Sequence, residues 1–479
     1  MITANLAARA TAIVLLALAT FANVGAARAA TIVIVNQNAA GVGFNDPTPA
    51  APVGGNPGTT LGEQRLNAFQ RAADIWGATL TSDVPIRIGA SFVPLACDAT
   101  GAVLGSAGAN EIWSDFPNAP RANTWYPAAL ASKLLGLDVS APTVPHIIAR
   151  FNSRLGLFPD CVPGLTFYLG FDNNAGDGID LVTTLLHEIA HGLGFQTFTD
   201  DETGAQILDI PSIWDHYLID NRTERLWVQM TDAERVASAI AWRGLSWNGA
   251  NVTAAVPAAL GPASVLSISG PNAGGAAGAY AVGDATFGTP VSGTSPVSGQ
   301  LMPVVDQSNG TGLACTALNA TNARAVRGNI ALVDRGSCDF VVKARNVQAA
   351  GAIGMVLADV VPGEVAGLPG LDPSITITSV RITQADGQTL KSALQQRSRT
   401  RSGVVARLAS DATRLAGADA QRRILMYTPS VNSPGSSVSH YTTEARPNQL
   451  MEPAINDDLP HVVTPPRDLT YPLLRDIGW

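Results

Sequence analysis

The stretch HEIAHGLGF places two histidines, His187 and His191, four residues apart, with Glu188 directly after the first. On a helix, residues four apart share a face and lie about 6 Å apart along the axis, so the two imidazoles can converge on one ion. Neutral imidazole suits Zn²⁺. Glu188 points about 100° away around the helix, where its carboxylate can reach a water without ligating the metal. This is a grouping for amide hydrolysis. Water activated by the metal attacks a carbonyl, and Glu188 takes a proton and passes it to the leaving amine. A catalytic zinc takes three protein ligands and keeps a fourth position open. The short form of the pattern would put a third histidine at position 197, but that residue is Thr197. His146, His216, His440 and His461 remain as candidates, with Glu224 and Glu234 as acidic ones. Spacing alone does not choose among them.

The two histidines need a helix to hold them. In DLVTTLLHEIAHG, Asp180 is placed to cap it, Leu181, Leu185 and Ile189 give it an apolar face, and Gly192 and Gly194 mark its end. Ahead of it the chain predicts a strand at TIVIVNQ and a helix from Thr60 to about Leu80, with Leu66, Phe69, Ala73 and Trp76 at helical spacing. Further strands are predicted at Val84 to Phe92, HIIARFN and LTFYLGF. The layout is mixed α/β, with one long helix backing a sheet. Composition shifts near position 250 toward Gly, Ala, Ser and Pro. GNIALVDRG, CDFVVKARNVQAAGAIGMVLAD, SITITSVRIT and DGQTLKSALQQ then alternate strand and helix and form a small α/β unit. The tail closes on the amphipathic LTYPLLRDIGW.

Of 479 residues, 46% are hydrophobic and 14% charged, with a net charge of -8; sizeable cores are possible and no basic patch for nucleic acid is present. Residues 1–30 read as a signal peptide, with an early Arg, an apolar run and a small-residue ending, which places the mature protein in the periplasm or outside the cell. No later stretch is long and apolar enough to span a bilayer. In an oxidising compartment four cysteines pair, and their order along the chain favours Cys97 with Cys161 and Cys315 with Cys338. FDNNAGDGID gathers Asp172, Asn173, Asp177 and Asp180, oxygen ligands that would suit Ca²⁺.

HEIAHGLGF, with SVSHYTTEARPNQLMEPAI and LTYPLLRDIGW, resembles the metzincin zinc proteases, most closely the leishmanolysin-like group. The resemblance implies a zincin catalytic domain, a twisted mixed sheet with an active-site helix. In that group the third histidine follows a long insertion and precedes a methionine turn. His440 matches that ligand, Met451 the turn methionine and Gly194 the glycine that bends the chain beneath the helix. The insertion resembles the protease-associated (PA) domain through Arg335, Gly336, Cys338, Phe340, Lys343, Ala350, Gly351 and Ala352. The expected division is 31–255 and 411–479 for the catalytic domain and 256–410 for the insert. The expected activity is that of a secreted zinc endopeptidase acting on protein or peptide substrates. Two rival expectations are a non-catalytic binding or adhesion protein on a protease-derived fold and a zinc amidohydrolase of non-peptide substrates.

Overall fold

The computed structural model describes residues 28–305 and 312–479, so the expected signal segment lies almost wholly outside the described residues. The first unit is built on a four-stranded sheet of β1 (Ile32–Asn36), β2 (Ile86–Val93), β3 (Gly105–Ala109) and β4 (Ile147–Asn152), in the order β1-β2-β4-β3. The pairs β1–β2 and β2–β4 are parallel, and β3 is antiparallel at the edge. Helix α1 (Leu61–Thr79) starts in a capping box, where Thr60 accepts from the Glu63 amide and the Glu63 carboxylate accepts from the Thr60 amide. It buries Phe69, Ala73 and Trp76, but Leu66 faces solvent. The short α2 (Ala128–Leu135) follows, then α3 (Leu181–Leu193), whose residues are all buried. Two helices therefore back the sheet, and Trp76 Nε1 of α1 donates to Leu186 O of α3 at 3.1 Å. The predicted strand LTFYLGF shrinks to Phe167–Tyr168, paired with Ile179–Asp180 just before α3.

Helix α4 (Ala250–Ala259) crosses the expected 255/256 boundary and buries Val252, Val256 and Ala259 in the core of the first unit. After it the chain enters an eight-stranded sheet that is completed by Val405–Leu415. The first strand of this sheet, Pro262–Ser269, pairs antiparallel with that last one, so the segment leaves beside where it began. Its ends meet at a hydrogen bond from Ala416 N to Gly261 O of 2.9 Å. Parallel strands Ile330–Asp334, Gly354–Ala358 and Thr378–Ile382 form its centre, with α5 (Phe340–Ala349) packed alongside. Its apolar residues form two clusters of their own between Leu266 and Leu408. A single cluster joins Ala30 to Leu260 with Ala418 to Trp479. The returning chain is knitted into the first unit: Trp247 N donates to Ile424 O, Met426 N donates to Leu245 O, and the final helix α6 (Thr470–Ile477) packs on α4. Asp476 of α6 accepts from the amides of Asn251 and Val252 and from Trp247 Nε1, which satisfies donors at the start of α4. Disulfides join Cys97 to Cys161 and Cys315 to Cys338. Among the described residues no helix is long and apolar enough to cross a membrane.

Candidate metal centre and cleft

Three side chains from two distant parts of the chain, His187 and His191 of α3 and His440, meet at the C-terminal half of α3. Asp180 caps the helix, its carboxylate accepting from the Thr183 amide at 2.8 Å. Gly192 lies inside the helix rather than at its end; a Cβ there would come within 2.3 Å of Ile147, so glycine allows α3 to rest on β4. Gly194 ends the helix at φ 121°, a conformation L side chains avoid. The turn brings Phe195 O beneath the His191 ring, where Nδ1–H donates to it at 2.7 Å. His187 donates from Nδ1 to Leu450 O at 2.7 Å, and His440 donates from Nδ1 to Ser436 O at 2.8 Å.

His440 sits in a bend just before the isolated bridge of Tyr441 with Met426. Tyr427 N donates to His440 O and Tyr441 N donates to Met451 O, both at 2.8 Å. Met451 is fully buried, and its neighbour Leu450 supplies the carbonyl that orients His187. Leu450 is fixed in turn by the buried carboxylate of Asp468, which accepts from its amide at 2.7 Å.

The Nε2 atoms of His187, His191 and His440 lie 3.2 Å apart in all three pairs. Burial drives the imidazole pKa values down, to about 4 for His187 and about 3 for His191, with the His187 charge adding to the effect on His191; His440 is lowered well below its ordinary value. The rings are therefore neutral near neutral pH. Each spends its one N–H on a carbonyl, so none of the three Nε2 atoms bears a hydrogen. Three lone pairs aimed at one point repel unless a cation lies between them. Nitrogens about 2.0–2.1 Å from a tetrahedral zinc are spaced by roughly 3.3 Å, so this donor set fits that ion. It is also the only group of three or more His, Cys, Asp or Glu side chains among the described residues whose ligand atoms come that close together.

Glu188 lines the same cleft, about 840 Å³ in volume, as the three histidines and the edge strand β3. Burial pushes its carboxyl up to about 8, with the Ala107 amide of β3 opposing. The other candidates from the sequence lie elsewhere. His146 accepts from Arg87 N and pairs with Asp138, His216 bonds Thr124, and His461 bonds Asp180. Glu224 pairs with Arg423 and Glu234 with Arg225. Thr197, at the position of the absent histidine, donates from Oγ1 to the buried Asp215 at 2.6 Å and from its amide to Ser439 Oγ, next to His440.

The expected calcium loop does not gather its carboxylates. Asp172 Oδ1 is taken by the Tyr168 hydroxyl and the Asn174 amide and Asp180 Oδ1 by the cap and His461, and neither carboxylate belongs to a close metal-ligating group among the described residues. The side-chain pattern gave no notice of β3. Its sequence, GSAGA, lacks the branched residues that mark strands, and only its ladder to β4 makes it one.

In the insert, Lys343 is fully buried. Its Nζ donates to Leu313 O at 2.6 Å, and burial pushes its pKa down to about 8. Residues 297–390 match the PA domain family. Among curated proteins the chain is similar to the minor extracellular protease Vpr of Bacillus subtilis (strain 168), 42% identical over 69 residues, 14% of this chain and 8% of that protein. It is similar also to ER degradation-enhancing alpha-mannosidase-like protein 3 of Xenopus laevis, 59% identical over 39 residues, 8% of this chain and 4% of that protein. The chain thus spans less than a tenth of the length of either relative. Among solved structures it is similar to an aminopeptidase from Aneurinibacillus sp. strain AM-1, with a TM-score of 0.23 and 20% identity over 32% of this chain and 31% of that one. Residues 297–390, within the insert, carry a PA domain, as the arginine-glycine, cysteine and alanine-glycine-alanine pattern led us to expect.

Proposed function

We propose that the chain is an exported zinc endopeptidase of metzincin type, resembling the leishmanolysin-like group, with His187, His191 and His440 as metal ligands, Glu188 as general base and acid, and Met451 as the turn methionine. One observation carries the reading: three hydrogen-free Nε2 atoms converge at 3.2 Å, each ring fixed from behind by a main-chain carbonyl. Zinc, when bound there, supplies Lewis acidity that polarises a carbonyl and makes water a better acid. Glu188 accepts the proton of the attacking water at its carboxylate and delivers it to the leaving amine. Burial raises its proton affinity, which strengthens the ionised carboxylate as a base.

The edge strand supports an endopeptidase. One side of β3 pairs with β4, and the strand itself lines the cleft, so its main chain can bind an extended substrate by strand addition. Such binding needs no free chain end. The PA domain is in keeping with protein substrates, and the disulfides with an oxidising compartment outside the cytoplasm.

Zinc content and peptide cleavage of the native protein, Glu188→Gln and His440→Ala test the proposal together. We expect Glu188→Gln to keep zinc and lose at least about a thousandfold in turnover, and His440→Ala to lose both. Unchanged turnover by the Glu188 variant would end the mechanism, and full zinc occupancy in the His440 variant would place the third ligand elsewhere.

A further inference from the structure

The cleft has a charge asymmetry that hydrolysis itself does not require. Apart from the three histidines, the titratable residues among those that line it are Glu188 and Asp201, both acidic, and no Lys or Arg accompanies them. Glu188 is accounted for by proton transfer. Asp201 is not.

Asp201 stands on a tight turn after α3. Asp200 Oδ1 accepts from the amides of Glu202 and Thr203, both at 2.9 Å, and Gly204 N closes back on Asp200 O. The turn presents the Asp201 side chain half-buried at the cleft. The charges beside it, Asp200 and Glu202, have its own sign; burial raises its pKa, and the Asn432 side chain offsets part of that. A half-buried carboxylate with like-charged neighbours lacks a cation that a ligand can supply.

The direction of β3 says where along a substrate this happens. A Cβ on Gly105 would lie 3.2 Å from Glu188 Cγ, and one on Gly108 would lie 3.4 Å from Gln196 Oε1. The strand therefore runs past Glu188, whose carboxylate accepts from the Ala107 amide, toward Gln196, which lines the same cleft as Asp201 and whose Nε2 is buried with no partner. An extended peptide paired antiparallel to β3 runs the opposite way. Its residues before the scissile bond pass Gln196, and Asp201 lines the same cleft five residues further along the chain. We infer that Asp201 is a specificity-determining residue that accepts a cationic side chain, Lys or Arg, on the N-terminal side of the scissile bond. The inference rests on the peptidase reading above.

The test uses the full-length, zinc-loaded protein. A cleaved peptide is first found and its scissile bond located by mass spectrometry. Lysine, norleucine or glutamate is then placed at each of three positions before that bond. At one position we expect kcat/KM to be about tenfold higher for lysine than for norleucine, the scale of one partly buried ion pair. Asp201→Asn should bring that ratio to within about twofold of unity, and Asp201→Lys should favour glutamate. No lysine preference in the native protein, or the same preference in Asp201→Asn with zinc content unchanged, overturns the inference. Peptide binding to Glu188→Gln, read by fluorescence anisotropy, separates this from a failure of the peptidase reading. If nothing is hydrolysed, a lysine preference in binding that Asp201→Asn abolishes upholds the acceptor, and equal affinities overturn it.

Discussion

Removal of the inserted segment tests whether the proposed metal centre is self-contained. Pro262 to Arg414 would be deleted and Gly261 joined to Leu415 through a few Gly and Ser residues; Gly261 O already accepts from Ala416 N at 2.9 Å. The two clusters of the insert share no buried residue with the core of the first unit, and the three imidazoles with their carbonyl partners all lie outside the deleted part. As a flexible loop, about 150 residues would cost about 3 kcal/mol more to close than a four-residue bridge. The insert is instead folded with its ends paired, and acts as a short tether, so only a fraction of that figure is recovered. Against it stands the loss of contacts such as that of the Glu364 carboxylate with the Ser430 amide. The two effects nearly balance, and stability should change by no more than about 2 kcal/mol, a few degrees in Tm. Calorimetry, zinc content, turnover of a short peptide and cleavage of a folded protein make up the assay. We expect near-stoichiometric zinc, retained peptide turnover and altered protein cleavage. A shortened chain that melts in one transition but holds less than about a tenth of native zinc would refute the reasoning.

Asp468→Asn should weaken zinc binding about 10- to 100-fold, because the carboxylate fixes Leu450 and Leu450 O orients His187; competition with a chelator measures it. Burial raises the Glu452 carboxyl to about 7, so its proton is held in the fold and released on unfolding at lower pH. Stability therefore falls as pH rises from about 4.5 to about 7, by up to about 3 kcal/mol from this group, and Glu452→Gln should flatten that part of the Tm–pH curve. Loss of the Cys97–Cys161 bridge, with a sequence separation of 64, should cost about 4 kcal/mol, as denaturation of a Cys97→Ser/Cys161→Ser double variant would show.

Local chemistry made α3 and α1 legible. Asp180 and Thr60 are strong caps, and the apolar spacing behind them has a helical period. Leu66 kept that period yet faces solvent, because spacing alone does not set how far a helix face is covered. Residue spacing could not select His440: 249 positions separate it from His191, and only tertiary pairing of Tyr427, His440 and Met451 brings it in. The likeness to a family with a late third ligand pointed to His440, whose Nε2 the structure places 3.2 Å from those of His187 and His191. Edge strand β3 and helix α4 were missed for opposite reasons. GSAGA has no strand propensity of its own, and α4 carries Pro257 within an Ala-rich run that reads as a loop.

The carbonyl clamps behind the imidazoles set a schedule. Phe195 O is made soon after α3, but Ser436 O, His440 itself and Leu450 O are all synthesised more than 240 residues later. A nascent chain therefore has two loosely oriented rings and nothing to complete them until its last tenth has emerged. A fragment that ends before that point lacks the third ring and two of the three carbonyls, so on the proposed reading it holds no zinc and cleaves nothing.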